Sequence, residues 1–269
     1  MKKFLYLILA AVSFLVLAYF VVLPDVSKLK KANPGETSMM RYREAEWEAK
    51  GHKKRIYQVW VPLSKVSPYL IKAVLIGEDD KFWRHDGFDF DAIGKALEKD
   101  LKTRRFKAGG STISQQLAKN LYLSPKKSPL RKIEEAVITW KIERTLPKRR
   151  ILEIYLNVVE WGDGVFGIEA ASRHYFGKEA SELSPMEAAR LASVLPNPRK
   201  YDPAGDRRYV LKRSEIIYDI MVRRGIVVPE YEDLKDELSD QSAPLSATAE
   251  VVDKPERVRP AENPFTSFR

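Results

Sequence analysis

The order of apolar and polar positions divides the chain into four stretches. Residues 4–23, FLYLILAAVSFLVLAYFVVL, run without a charge or a proline until Pro24. As a helix such a run is about 30 Å long, which matches the hydrocarbon core of a bilayer. It is longer than the apolar centre of a cleaved leader and does not end in small residues, so residues 1–24 are expected to be an uncleaved transmembrane anchor. Lys2 and Lys3 precede it with no acid between them and favour a cytoplasmic N-terminus, although Lys28, Lys30 and Lys31 on the far side weaken the asymmetry. Residues 25–60 are mixed and charged, carry the turn signal Asn33-Pro34-Gly35, and read as a stem. Residues 61–238 hold a helical period and read as the main domain, while residues 239–269 have no period and four prolines, the mark of a disordered tail.

Within the main domain Ile93, Ala96, Leu97 and Leu101 make one helical stripe, and Ile151, Ile154, Tyr155 and Val158 make another. Three helix starts share a capping serine before a first-turn proline: Ser67-Pro68, Ser128-Pro129 and Ser184-Pro185, the last with Glu187 completing a capping box. Gly177 and Gly225 stand where C-terminal caps would, and Pro147 and Pro196 stop the helices before them. Strand-like alternation is scarce, so the fold class is mainly α. The helix from Ser128 has Ile133, Ala136, Val137 and Trp140 on one face and Ile138, Ile142 and Leu146 on nearly the opposite one, which predicts a mostly buried helix.

Composition narrows the chemistry. With 269 residues and 44% hydrophobic content the chain can bury one sizeable core beside a membrane segment. Zero cysteines exclude disulfides, thiol catalysis and thiolate metal sites and leave the redox compartment open, and three histidines make a His-based metal centre unexpected. The formal charge of +10 is uneven: residues 101–150 carry fourteen Lys or Arg against Glu134, Glu135 and Glu143. Such a field concentrates phosphates, nucleic acid or anionic lipid headgroups, and beside a membrane segment lipid phosphate is the favoured one. A solvated basic face is the plainer alternative.

Several clusters can carry a reaction. An apolar helix from Ser67 ends in Glu78, Asp79 and Asp80, followed by Phe82 and Trp83. The helix dipole disfavours a carboxylate there, and adjacent aromatics would desolvate it, so one of these acids suits proton transfer unless the cluster is a solvated loop. Gly109-Gly110 lead into a helix beginning near Ser111 or Thr112, with Ile113, Leu117 and Leu121 facing inward and Gln116, Lys119 and Asn120 on a polar side; its N-terminus can meet an anion or simply be capped. On the helix from Ser128, Glu135 falls within an apolar stripe and Glu134 between stripes, so Glu135 is the better candidate for a protected carboxylate, with an ion pair to Arg131 as the structural alternative. His85 and His174 read as structural, and Trp161-Gly162-Asp163-Gly164 as a turn, with Tyr155 and Asn157 near its surface.

Together these residues resemble the peptidoglycan glycosyltransferases, most closely the monofunctional biosynthetic members, over roughly residues 60–205. Glu78-Asp79-x-x-Phe82-x-x-His85-x-Gly87-x-Asp89 resembles the family's first motif, and Gly109 through Asn120 its second. Arg131-Lys132-x-x-Glu135 is similar to the third, Arg150-Ile151-Leu152-Glu153-x-Tyr155-Leu156-Asn157 to the fourth, and Ala188-x-x-Leu191-Ala192 with Leu195-Pro196 to the fifth. The resemblance implies a lysozyme-like helical domain acting on lipid II and the nascent glycan strand at a membrane, with release of undecaprenyl pyrophosphate and inversion. It implies Glu78 as general base and Glu135 as the residue assisting pyrophosphate departure, with a divalent cation such as Mg or Mn as a candidate aid. Asp79, Phe82, Ser111, Thr112, Gln116, Lys119, Lys127, Arg131 and Asn157 become the expected substrate-binding residues. Lys127 departs from the arginine frequent in the family, which loses a bidentate phosphate contact.

The resemblance further implies a bacterial inner-membrane location with the catalytic domain periplasmic. Other cell-wall synthesis or division proteins are possible partners, and nucleic acid is not expected. No S-D-N or K-T-G follows, so no transpeptidase is expected, and Ser27-x-x-Lys30 and Ser124-x-x-Lys127 match S-x-x-K by chance. Two rivals remain open: a glycan hydrolase built on paired carboxylates, for which the basic segment has no use, and a non-catalytic cell-wall scaffold, for which both glutamates would be incidental.

Overall fold

The computed structural model describes residues 23–103, 110–125 and 128–228, together with a few positions in the first nineteen. The expected anchor over residues 4–23, the tail over 239–269 and Lys127 therefore lie wholly or almost wholly outside the described residues. Among the described residues no helix is long and apolar enough to cross a membrane.

The chain is mainly helical. In order it forms α1 (Ser38–Ala49), β1 (Tyr57–Gln58), α2 (Pro68–Glu78), α3 (Phe90–Thr103), α4 (Ile113–Tyr122), α5 (Pro129–Thr145) and α6 (Lys148–Val158). There follow β2 (Glu160–Gly162), β3 (Val165–Phe166), α7 (Ile168–Phe176), α8 (Pro185–Val194) and α9 (Arg208–Arg223). The small sheet has the order β1-β3-β2, with β1 parallel and β2 antiparallel to β3.

The helix that sequence periodicity describes best is α6, where Ile151, Ile154, Tyr155 and Val158 are all fully buried. Leu152 and Leu156, on its other side, are buried too, so α6 runs through the centre with α4, α5 and α7 packed on it. On the other side of the site α8 lies between α2 and α9, an arrangement that carries α9, more than a hundred residues away in sequence, onto the end of α2.

The expectation of a two-sided buried helix after Ser128 is corrected. In α5 Glu135, Ile138, Thr139 and Ile142 are buried, but Leu130 and Ile133 are each 58% exposed and Trp140 is 51% exposed. Periodicity registers an apolar face without saying what covers it. Helix starts divide similarly: the Ser128 and Ser184 side chains accept from the backbone N–H of Arg131 and Glu187, whereas Ser67 turns its hydroxyl to the Leu183 carbonyl and leaves α2 uncapped. Gly177 adopts the left-handed conformation that ends α7.

The stretch read as a stem contributes to the same core. Val26 and Leu29 join the main cluster, and Met39 and Met40 of α1 pack with Phe166. Trp47 is buried against Gly164, whose φ of +90° and whose missing Cβ, 3.1 Å from the indole if present, admit the ring. Arg43 closes the contact with both oxygens of buried Glu160. The Trp161–Gly164 turn is thus a hairpin clasped by α1, and Tyr155 and Asn157, expected near its surface, are fully buried.

Candidate active site

Glu78 is the last residue of α2, and its side chain is only 10% exposed. Gln116 of α4 donates from Nε2 to its Oε2 at 2.9 Å, and Arg213 of α9 brings Nη2 to 3.4 Å from its Oε1. The same Nη2 donates to the Gly77 carbonyl at 3.0 Å, so the guanidinium also serves the electronegative end of α2. Burial pushes the Glu78 carboxyl above its ordinary value, opposed by the Gln116 hydrogen bond and the charges of Arg213 and Lys119 and aided by Asp79. The raised value is the one expected of an acid desolvated at a helix C-terminus.

Asp79, the next residue, commits its carboxylate to protein donors. Its Oδ2 accepts the backbone N–H of Ile113 at 2.9 Å, and its Oδ1 pairs with His85 Nε2 at 2.9 Å. His85 Nδ1 accepts the Gly87 N–H at 3.1 Å, which places the ring proton on Nε2, pointing at Asp79. Thr112 caps α4 in a capping box with Gln115, and its hydroxyl donates to the Gly87 carbonyl at 2.7 Å. Gly87 has φ of +92°, and a Cβ there would lie 2.9 Å from Glu143 Cγ and from Thr139 Cγ2. Glu143 in turn holds Ser114 and, at 2.8 Å, Lys148. The loop after Glu78 is thereby tied to the start of α4 and the middle of α5, and a buried anion sits at a helix N-terminus where it is favourable.

Lys119 is half-buried on α4 among Glu78, Glu135, Arg131 and Lys132. Burial pulls its ammonium below the usual lysine range; Glu135 and Glu78 pull it up, and Arg131 and Lys132 push it down. Glu135 is 3% exposed, takes Arg131 Nη1 on Oε2 at 2.9 Å and holds Lys132 on Oε1. The preference for Glu135 over the less buried Glu134 and the pair with Arg131 are both seen. Among the described residues no group of three or more potential metal ligands gathers. With both Glu135 oxygens taken by cations, the described side chains do not build a protein-held metal centre.

A cleft of about 710 Å³ collects Glu78, Ser111, Thr112, Gln116, Lys119 and Arg213, with Lys81, Lys95 and Tyr209 at its sides. A buried carboxyl in a cleft with cations nearby fits transfer of a group whose leaving part is anionic. The transglycosylase family's sequence model matches residues 46–222. The chain belongs to the transglycosylase family. Relatives agree in detail. The chain is 55% identical over 185 residues to a biosynthetic peptidoglycan transglycosylase of Dechloromonas aromatica, covering 69% of this chain and 80% of that one. A protein of the same description from Methylobacillus flagellatus is 47% identical over 210 residues, 78% of this chain and 92% of its own. One from Chromobacterium violaceum is 48% identical over 218 residues, 81% and 96% of the two chains.

In this transglycosylase the expected substrate-binding residues separate into two groups. Asp79, Ser111, Thr112, Gln116 and Lys119 line the cleft, and Arg131 is paired with Glu135 outside that lining. Phe82 does not reach the cleft: it is fully buried beside Trp83 and His85, with Lys148 Nζ 4.5 Å from its ring centre. Asn157 is also fully buried, exchanging hydrogen bonds with the backbone of Val61 at 2.8 and 2.9 Å. Asp79 has both oxygens occupied by protein donors. Asp79 nevertheless lines the cleft, whereas Phe82 and Asn157, fully buried, do not. Arg213 carries no distinguishing mark in the sequence: it is one basic residue of several on α9, a helix rich in Lys and Arg.

Proposed function

We propose that this transglycosylase polymerises peptidoglycan glycan strands, transferring a lipid-linked growing chain onto lipid II with inversion and release of undecaprenyl pyrophosphate. The observation that carries the reading is Glu78: a buried carboxyl with a raised value, held by Gln116 on one oxygen at 2.9 Å and reached by Arg213 on the other only at 3.4 Å, lining the cleft together with half-buried Lys119. In the reaction Glu78 takes the proton of the acceptor sugar's 4-hydroxyl as that oxygen bonds to the anomeric carbon of the donor chain. The anomeric carbon's bond to the pyrophosphate oxygen breaks from the opposite face, giving a β-1,4 link. The electron pair leaves with the pyrophosphate.

Lys119 and Arg131 stabilise the negative charge that grows on that leaving group. Glu135 acts through them: a buried anion holding Arg131 and Lys132, it gathers mutually repelling cations beside Lys119. No covalent intermediate is required. The lysozyme-like helical domain would work at the outer face of the inner membrane, with residues 4–23 as a single span, the N-terminus cytoplasmic and the catalytic domain periplasmic. Two observations support closeness to a membrane, though not its side: Lys141 Nζ holds the Leu23 and Pro24 carbonyls at 3.2 and 3.0 Å, and the same helix leaves Leu130, Ile133 and Trp140 exposed. The test is incubation of the purified full chain in detergent with lipid II, with products sized on a gel. Polymer is expected; consumption of preformed glycan without polymer would replace this reading by hydrolysis.

A further inference from the structure

Tyr155 lies at the centre of α6, fully buried, and the mechanism above has no use for it. Among the described residues its hydroxyl has one hydrogen-bond partner, Gln116 Oε1 at 3.0 Å. A buried phenol needs an acceptor for its proton, and here the side-chain amide supplies it. That contact leaves the other end of the amide, Nε2, to face Glu78 Oε2 at 2.9 Å. Reversing the amide would turn its carbonyl toward the carboxylate and deprive the Tyr155 proton of its acceptor, so both ends demand the same orientation.

We propose that Tyr155 is a positioning residue for the general base, acting through Gln116. The inference rests on the reading of Glu78 as that base. The chain Tyr155–Gln116–Glu78 commits Oε2 of the carboxylate to an N–H donor at 2.9 Å and leaves Oε1, whose one donor, Arg213 Nη2, stands at a long 3.4 Å among the described residues, as the atom that accepts the sugar's proton. When Oε1 is protonated, Oε2 still accepts the same N–H. The amide has no reason to turn, and the base returns to one geometry after each transfer. Without the Tyr155 hydroxyl the amide is free to rotate and offer its carbonyl to the protonated carboxyl. That favours the neutral acid and moves the acid limb of the activity profile to higher pH.

The test compares kcat and KM for lipid II polymerisation across pH in the full chain and in Tyr155→Phe, Gln116→Met, the double variant and Glu78→Gln. Tyr155→Phe is expected to lower kcat about tenfold with KM little changed, a loss of orientation rather than of binding, and to shift the acid limb upward. Gln116→Met is expected to shift it at least as far. In the double variant Tyr155→Phe is expected to add nothing, since its effect passes through an amide already gone. Multiplying effects, or a Tyr155→Phe profile that overlays the parent's, would overturn the inference. Should Tyr155→Phe not fold, a Gln116→Met profile identical to the parent's overturns it as well. The two readings fail separately: an active Glu78→Gln removes the base itself, whereas an inactive Glu78→Gln beside an unshifted Tyr155→Phe removes only the positioning role.

Discussion

Asp79→Asn separates support of the cleft from contact with substrate. The carboxylate accepts from two donors at once, the Ile113 N–H at the start of α4 and the His85 Nε2–H, each at 2.9 Å. Asparagine of the same shape can accept from one of them and must point its NH₂ at the other. A charged hydrogen bond of this kind contributes about 1.5–3 kcal/mol. The anion's interaction with the N-terminus of α4 adds up to about 1 kcal/mol, so the loss is about 2–4 kcal/mol. For a domain of this size that lowers Tm by roughly 4–16 °C. Thermal unfolding of parent and variant in the same detergent measures it, with polymerisation followed in parallel at a temperature where both are folded. An Asp79→Asn protein that melts with the parent yet loses polymerisation would refute the reasoning and return Asp79 to direct contact with substrate.

The remaining predictions concern Glu78 and its loop. Arg213→Met removes a cation that favours ionised Glu78, so the acid limb of kcat/KM moves to higher pH, and Arg213→Lys restores part of the shift; a pH–rate series measures both. Because burial raises Glu78 in the folded state, its titration favours folding at low pH, and that contribution is lost as pH rises through the folded value. Glu78→Gln is therefore expected to melt higher than the parent at neutral pH and to lose the advantage on acidification, a comparison for thermal unfolding at two pH values. Gly87→Ala puts a methyl group against Glu143 and Thr139 at a positive φ and is expected to cost about 1–3 kcal/mol, read by denaturant unfolding.

The sequence disclosed most where chemistry and local structure coincide. Thr112 with Gln115 caps α4 near the position given by Gly109-Gly110, and the stripe Ile151, Ile154, Tyr155 and Val158 is the buried face it looked like, because caps and periodicity depend on neighbours a few residues away. Glu135 was preferred to Glu134 by helical angle alone, and burial agrees. What sequence could not disclose depends on packing between distant segments. Arg213 meets Glu78 where α9 and α8 both pack on α2, and Asp79 meets Ile113 across more than thirty residues of sequence. The exposed face of α5 illustrates the converse: Ile133 and Trp140 share a clear apolar stripe, yet nothing in their spacing separates a core face from one left to solvent or lipid.

The most direct measurement of the central claim is the initial rate of lipid II polymerisation by Glu78→Gln beside the parent, both full-length, in detergent and shown folded by their melting curves. The side chain keeps its length and its contacts with Gln116 and Arg213 can be retained in part, so the main change is the loss of a proton acceptor. The account predicts a fall of roughly 100-fold or more, the scale of general base catalysis. A folded Glu78→Gln protein that polymerises within a few fold of the parent would contradict it.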